Sequence, residues 1–216
     1  MIDIEMKYYV GIDIGTTSIS IAALDEAGKL ITSRTVNHSS FMPGNTPESR
    51  IQNPDRIERI ALDTLDAVIS ELGRPSAIGF TGQMHGMLYL NAFGSPVSPL
   101  YTWQDATGRD SVNILREHGI IVSSGYGLAT HFHLQRAGNI PGDAVKMSTI
   151  SDYIAMRLCG KSEPVLSSDM AASWGCFDLK TRQFQRDELE AAGVNTSYLP
   201  DVLKGYAVIG QTSGGV

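Results

Sequence analysis

Two kinds of polar cluster in the 216 residues carry chemistry. The first is Asp13-Ile14-Gly15-Thr16-Thr17, which joins two β-rich segments. A glycine at Gly15 lets the main chain approach a ligand with no Cβ in the way. Successive amides, with the Thr16 and Thr17 hydroxyls, can then hydrogen-bond phosphate oxygens. Asp13, at the end of the preceding segment, is placed to hold Mg²⁺, largely through waters, and phosphoryl transfer needs that ion. A plain hairpin whose Gly and Thr only satisfy turn geometry has the same residues. Its position after the first strand of a meander favours the phosphate reading.

The second kind is suited to polyols. Gly82-Gln83-Met84-His85-Gly86 follows a short apolar segment, at the strand end where open α/β sheets bind ligands. Gln83 offers a donor and an acceptor and His85 a neutral nitrogen pair, both matched to sugar hydroxyls. A histidine in such a loop also serves structure alone. Tyr101-Thr102-Trp103-Gln104-Asp105 combines an aromatic face, an amide and a carboxylate. Indoles stack on the apolar faces of sugars, and Asp accepts from neighbouring hydroxyls; a buried Trp beside a turn-forming Asp is the alternative. Asp169, in a Ser-Asp pair, is either a further sugar contact or a cap. Gly160-Lys161-Ser162 resembles the tail of a P-loop, but Ala155 stands where that motif needs glycine, so it reads as a helix stop.

These clusters need a frame. Lys7–Ile14, Ser18–Leu24 and Lys29–Val36 alternate or run β-rich, with turns at Gly15–Thr17 and Asp25–Gly28, which predicts an antiparallel meander. A polar loop spans 37–52. Asn53 as N-cap, Pro54 at the first position, and Ile57, Ile60, Ala61, Leu65, Val68, Ile69 and Leu72 on one face predict a helix that Gly73 stops. Ala77–Thr81 reads as a parallel strand buried on both sides. Further helices are expected over 110–118, within 125–137, over 152–159 capped by Ser151, and near 187–192, with a hairpin at 177–184. This order predicts an α/β protein of the ribonuclease-H-like or actin-like ATPase fold. Its mixed five-stranded sheet opens with the meander and carries helices on both faces.

Composition sets limits. Hydrophobic residues make up 42% and charged residues 19%, the profile of an ordinary globular chain. A net charge of −6 with no basic cluster argues against nucleic acid or an anionic membrane as partner. Cys159 and Cys176 read as free thiols, and the Cys and His spacing fits no zinc site. The acidic start, 1–6, is no signal peptide, and no apolar run reaches spanning length, so the expected location is cytoplasmic.

Together the segments resemble the FGGY family of carbohydrate kinases. Asp13–Thr17 matches its strand–Asp-x-Gly-Thr-Thr–strand hairpin, Gly82–Gly86 its Gly-Gln-Met-His-Gly segment, and Trp103–Asp105 its Trp-x-Asp stretch. Within the family the likeness is greatest to the sedoheptulokinase branch. It rests on Thr102–Asp105, Gly125–Thr130, Asp152 with Leu158–Gly160, and Ser168–Gly175. The Lys and Trp of the broad family pattern are missing from Thr130–Leu134, which bears on the preferred sugar. The resemblance implies ATP-dependent phosphorylation of a ketose, sedoheptulose before xylulose or ribulose. Asp13, Gly15, Thr16 and Thr17 would face the nucleotide, with Mg²⁺ at Asp13. Gln83, Met84, His85, Gly86, Trp103, Gln104, Asp105 and Asp169 would face the sugar. It further implies that 1–216 is the amino-terminal, sugar- and phosphate-binding domain, with the catalytic Asp and adenine pocket in a second domain. The chain alone is then inactive, and a homodimer is possible. A non-catalytic sugar-binding module and an actin-like or chaperone-type ATPase are the rival readings.

Overall fold

The computed structural model describes residues 7–203 and 207–212. The acidic start at 1–6 and the end of the closing loop, 213–216, lie outside the described residues.

Three strands open the chain as expected: β1 (Tyr8–Ile14), β2 (Ser18–Asp25) and β3 (Leu30–Asn37). Their alternating side chains put Tyr8, Val10, Ile12, Ile14, Ile19, Ile21 and Ala23 on one face, all buried. The segment read as a loop contains two short strands, β4 (Phe41–Met42) and β5 (Ile51–Gln52). Helix α1 (Pro54–Leu72) has the expected caps: the Asn53 side chain accepts from the Arg56 amide, and Gly73 takes a positive φ of 82°. Its face of Ile57, Ala61, Leu65 and Val68 is buried on the sheet, each large side chain contributing about 1.5–3 kcal/mol.

β6 (Ala77–Gly82) runs parallel to β1, giving a sheet of order β3-β2-β1-β6. The fold class is the one expected, with three differences of detail. Four strands, and not five, pair in this sheet among the described residues. β6 is also not buried on both sides: its residues alternate exposed and half-buried. The reason is that both covering helices, α1 and α4 (Ile150–Leu158), pack on the same face of the sheet, not on both faces as expected. The opposite face, with Gly11, Asp13, Gly79 and Thr81, is exposed, and a shallow concavity of about 410 Å³ lies over it.

Beyond β6 come β7 (Leu88–Leu90), β8 (Leu100–Tyr101), α2 (Arg109–Glu117), α3 (Gly127–Arg136), β9 (Lys146–Ser148) and α4 (Ile150–Leu158). Then follow β10 (Val165–Ser167), α5 (Ser168–Ser173), β11 (Phe177–Asp178), β12 (Gln183–Phe184), α6 (Arg186–Ala191) and β13 (Asp201–Leu203). The cap of α4 is Thr149, not Ser151: its hydroxyl accepts from the Asp152 amide. The 177–184 hairpin forms, with Arg182 at φ 55° in its turn. These elements enclose a second core around Trp174, Tyr89, Leu128, Met147 and Leu166. Within it the His131 ring bridges the Tyr89 hydroxyl and the Asn195 carbonyl. Both cysteines are free. No helix among the described residues is long and apolar enough to cross a membrane.

Candidate functional site

The turn between β1 and β2 is built to leave amides outward. Gly15 N donates to Ser18 O at 2.9 Å, so that amide closes the turn instead of facing a ligand. The amides of Thr16 and Thr17 have no protein partner among the described residues. Behind the turn sits His38, fully buried, with Nε2 donating to Gly15 O at 3.1 Å and Nδ1 accepting from the Ser40 hydroxyl at 2.7 Å. Burial, and then the Arg56 charge, hold the His38 pKa below its usual value, while the bond to Gly15 opposes them. The lowered pKa favours the neutral ring, in which Nε2 donates and Nδ1 accepts. Asp13 projects from the end of β1 onto the uncovered face, exposed, its carboxylate without a hydrogen bond among the described residues. No group of three or more acidic, His or Cys ligands occurs among the described residues. A single free carboxylate suits Mg²⁺, which keeps several waters and takes its remaining ligands from phosphate; it would not suit an all-protein cage.

The polyol loops meet this turn directly. Trp103, half exposed, donates its indole N–H to Thr16 Oγ1 at 3.0 Å. Gln83, buried just after β6, accepts from Thr16 Oγ1 at 3.5 Å, longer than an ordinary O–H···O bond. The main chain closes the same seam. A Cβ on Gly86 would lie 2.6 Å from Tyr101 O, and one on Gly125 only 1.9 Å from Trp103 O. Those two glycines therefore let three loops stack at van der Waals distance.

His85 adopts a left-handed φ of 70°, an uncommon state for a non-glycine residue that persists only when its surroundings enforce it. Here α5 and the 125–127 loop do so. Ser173 Oγ accepts from His85 N at 3.0 Å, Ser173 O accepts from His85 Nδ1 at 2.6 Å, and the ring stacks on Tyr126 at 4.3 Å and 10°. Because a carbonyl only accepts, Nδ1 carries a proton, and Nε2 is the ring nitrogen with no partner among the described residues. Of the nitrogen pair expected from sequence, one is already engaged.

The remaining expected residues divide. Met84 and Gln104 are exposed beside the loops they belong to. Asp105 is buried, and its two oxygens accept from Arg50 N at 2.7 Å and Thr107 N at 2.8 Å, so in this structure it clamps the loop. Asp169 is exposed in the first turn of α5. It faces Asp152, whose carboxyl is pushed up to about 6 by burial first; bonds from Thr149 and Ser167 oppose this and the Asp169 charge adds to it. The sequence reading missed three residues: His38, Gln52 and Tyr126. Gln52 is wholly buried and donates to Thr16 O at 2.6 Å.

The chain is similar to known proteins. Residues 8–216 match the FGGY family of carbohydrate kinases, N-terminal domain. The mouse sedoheptulokinase is 34% identical over 94% of this chain and 49% of its own length, and the human sedoheptulokinase 30% over the same shares. The chain thus spans about half the length of the curated relatives it matches. Among solved structures, ligand-bound xylulose kinase from Lactobacillus acidophilus superposes with a TM-score of 0.83 at 22% identity, covering 96% of this chain and 44% of that one. That likeness carries the fold. With the match running through almost the whole sequence, this chain belongs to the FGGY family of carbohydrate kinases.

Proposed function

We propose that this chain is the sugar- and phosphate-binding half of an ATP-dependent ketose kinase with sedoheptulose as its preferred substrate. The observation that carries the reading is the Trp103–Thr16 hydrogen bond, which makes the phosphate turn and the polyol loops one continuous surface. In this reading the Thr16 and Thr17 amides hold the transferring phosphate. The Trp103 indole lies against the apolar face of the sugar, and His85 Nε2 and the exposed side of Gln104 take its hydroxyls. Mg²⁺ bound near Asp13 offsets the charge on the phosphates. Of the carboxylates at the site, Asp105 is engaged by Arg50 N and Thr107 N and Asp13 is assigned to Mg²⁺, and the chain corresponds to half of its relatives. The base and the adenine pocket are therefore assigned to a second domain, and the 216-residue chain alone is expected to be inactive. Sedoheptulose is preferred over xylulose because the sedoheptulokinases are the more similar relatives, at 30–34% against 27% for the xylulose kinase of Lactococcus lactis.

The test is a product screen. The complete gene product, given ATP and sedoheptulose, xylulose, ribulose or glycerol in turn, is expected to phosphorylate sedoheptulose fastest. Equal rates on glycerol would overturn the ketose assignment.

A further inference from the structure

Gln52 has no place in the reaction as described so far, yet it is buried where the two halves of the site meet. Its orientation follows from chemistry. The Thr16 carbonyl can only accept, so the Gln52 amide nitrogen must face it, at 2.6 Å. Gln52 Oε1 then points at Gln83, which must donate, at 3.0 Å. That leaves Gln83 Oε1 to accept from the Thr16 hydroxyl at 3.5 Å. The Thr16 hydroxyl, its own proton committed, accepts from Trp103 Nε1 at 3.0 Å. Thr16, Gln52 and Gln83 thus form a closed ring in which every donor points the same way round, and Trp103 feeds into it.

The backbone of Gln52 belongs to the other side of the seam. β5 pairs with β8, so Gln52 lies opposite Leu100 and Ile51 opposite Tyr101. One residue earlier, Arg50 O accepts from both the amide and the hydroxyl of Thr102, and Arg50 N donates to Asp105. The strand carrying Gln52 is therefore fastened to the Tyr101–Asp105 loop, while its side chain grips the phosphate turn. A displacement of that loop has to move Gln52, and Gln52 has to move Thr16.

Resting on the ketose-kinase reading, we propose that Gln52 is a positioning residue that relays sugar occupancy to the phosphate turn. A ketose settling against Trp103 and Gln83 fixes the ring in one arrangement and holds the Thr16 and Thr17 amides aimed at phosphate. Each ligand then raises the affinity for the other by the same factor, as linkage requires.

The complete gene product tests this through the dissociation constant of β,γ-imido-ATP with Mg²⁺, measured with and without saturating sedoheptulose, alongside the reverse titration. The wild-type protein is expected to show at least about a tenfold mutual tightening, within the usual range for coupled sites. Gln52→Met keeps the length and loses both hydrogen bonds, and is expected to bring the factor to within about twofold of unity while each ligand alone still binds. Gln52→Asn stays polar but cannot span both partners, and is expected to do the same if the Met variant does not fold. Gln135→Met removes a comparable pair of bonds, to Gly193 and Asn195, far from the ring, and is expected to leave the coupling intact. Retention of the full factor in either Gln52 variant overturns the relay, as does a wild-type protein that phosphorylates the ketose with no mutual tightening; in both cases the kinase reading stands. A wild-type protein that binds no ketose and transfers no phosphate overturns both.

Discussion

The indole N–H of Trp103 donates to the hydroxyl of Thr16, 87 residues away in sequence. One half-exposed side chain thereby joins the two surfaces of the proposed site: its face is assigned to the sugar, and its edge contacts the turn assigned to phosphate. Trp103→Phe keeps the face and removes the edge. Since a net hydrogen bond is worth about 0.5–1.5 kcal/mol, the variant is expected to lose about two- to tenfold in kcat/KM of the complete enzyme, with the ketose KM changed less than kcat. A loss confined to the ketose KM would show that the edge contact does nothing for the turn.

His85 is held in its left-handed state by Ser173 and Tyr126. Ser173→Ala removes one of two tethers and Tyr126→Ala removes the stacking surface. Either is expected to raise the ketose KM about tenfold, while Tyr126→Phe, which keeps the ring, stays near wild type. Steady-state titration of the ketose at saturating ATP checks this, and an equal effect of Phe and Ala would contradict it.

Gly125 tolerates no side chain against Trp103 O. Gly125→Ala is expected to push the Trp103 loop outward and cut sugar affinity, whereas Gly142→Ala, with nothing within 4 Å of the added carbon, changes nothing. Calorimetric titration of the ketose distinguishes the two, and wild-type affinity in Gly125→Ala would show that the loops yield at no cost.

Two groups, His131 and Asp152, give opposing pH dependences. Burial lowers the His131 pKa to about 4, against about 6.5 in an unfolded chain. Between those values the unfolded state binds more protons. The His131 contribution is therefore complete above about pH 6.5 and is lost as pH falls toward 4. Asp152 runs the other way. Its carboxyl is raised to about 6 from about 3.9 unfolded, so its contribution is complete at low pH and is lost as pH rises through 6. In Asp152→Asn, Tm is expected to fall as pH drops from 6.5 to 4, by the equivalent of roughly 2–3 kcal/mol. In His131→Asn, Tm is expected to fall as pH rises over 4 to 6. Thermal melts across that range read both slopes, and identical slopes in wild type and both variants would contradict the assignment.

Much of the frame was legible in the residues, because local patterns sufficed. The alternation in Ser18–Leu24 and the Asn53-Pro54 start of α1 are signals contained within a few positions, and the structure has them where expected. What escaped reading depends on distant partners. Gln52 sits at the end of a polar stretch, and its importance comes from Thr16 and Gln83, 36 and 31 residues off. An apolar run such as Ala77–Thr81 cannot say which of its faces will be covered, and here only one is. Asp105 beside Trp103 looked like a sugar ligand. The Thr107 amide bonded to its carboxylate, an Asx turn two residues long, gives that side chain a turn-holding role that its own sequence neighbours also signal.

The central claim is that one surface holds phosphate and sugar together. A crystal structure of the complete gene product with sedoheptulose, ADP and Mg²⁺ tests it most directly. The account predicts the ketose against Trp103, Gln83 and His85, its primary hydroxyl directed toward the terminal phosphate position at the Thr16 and Thr17 amides. A sugar bound elsewhere, or a nucleotide whose phosphates lie away from Asp13–Thr17, would contradict it.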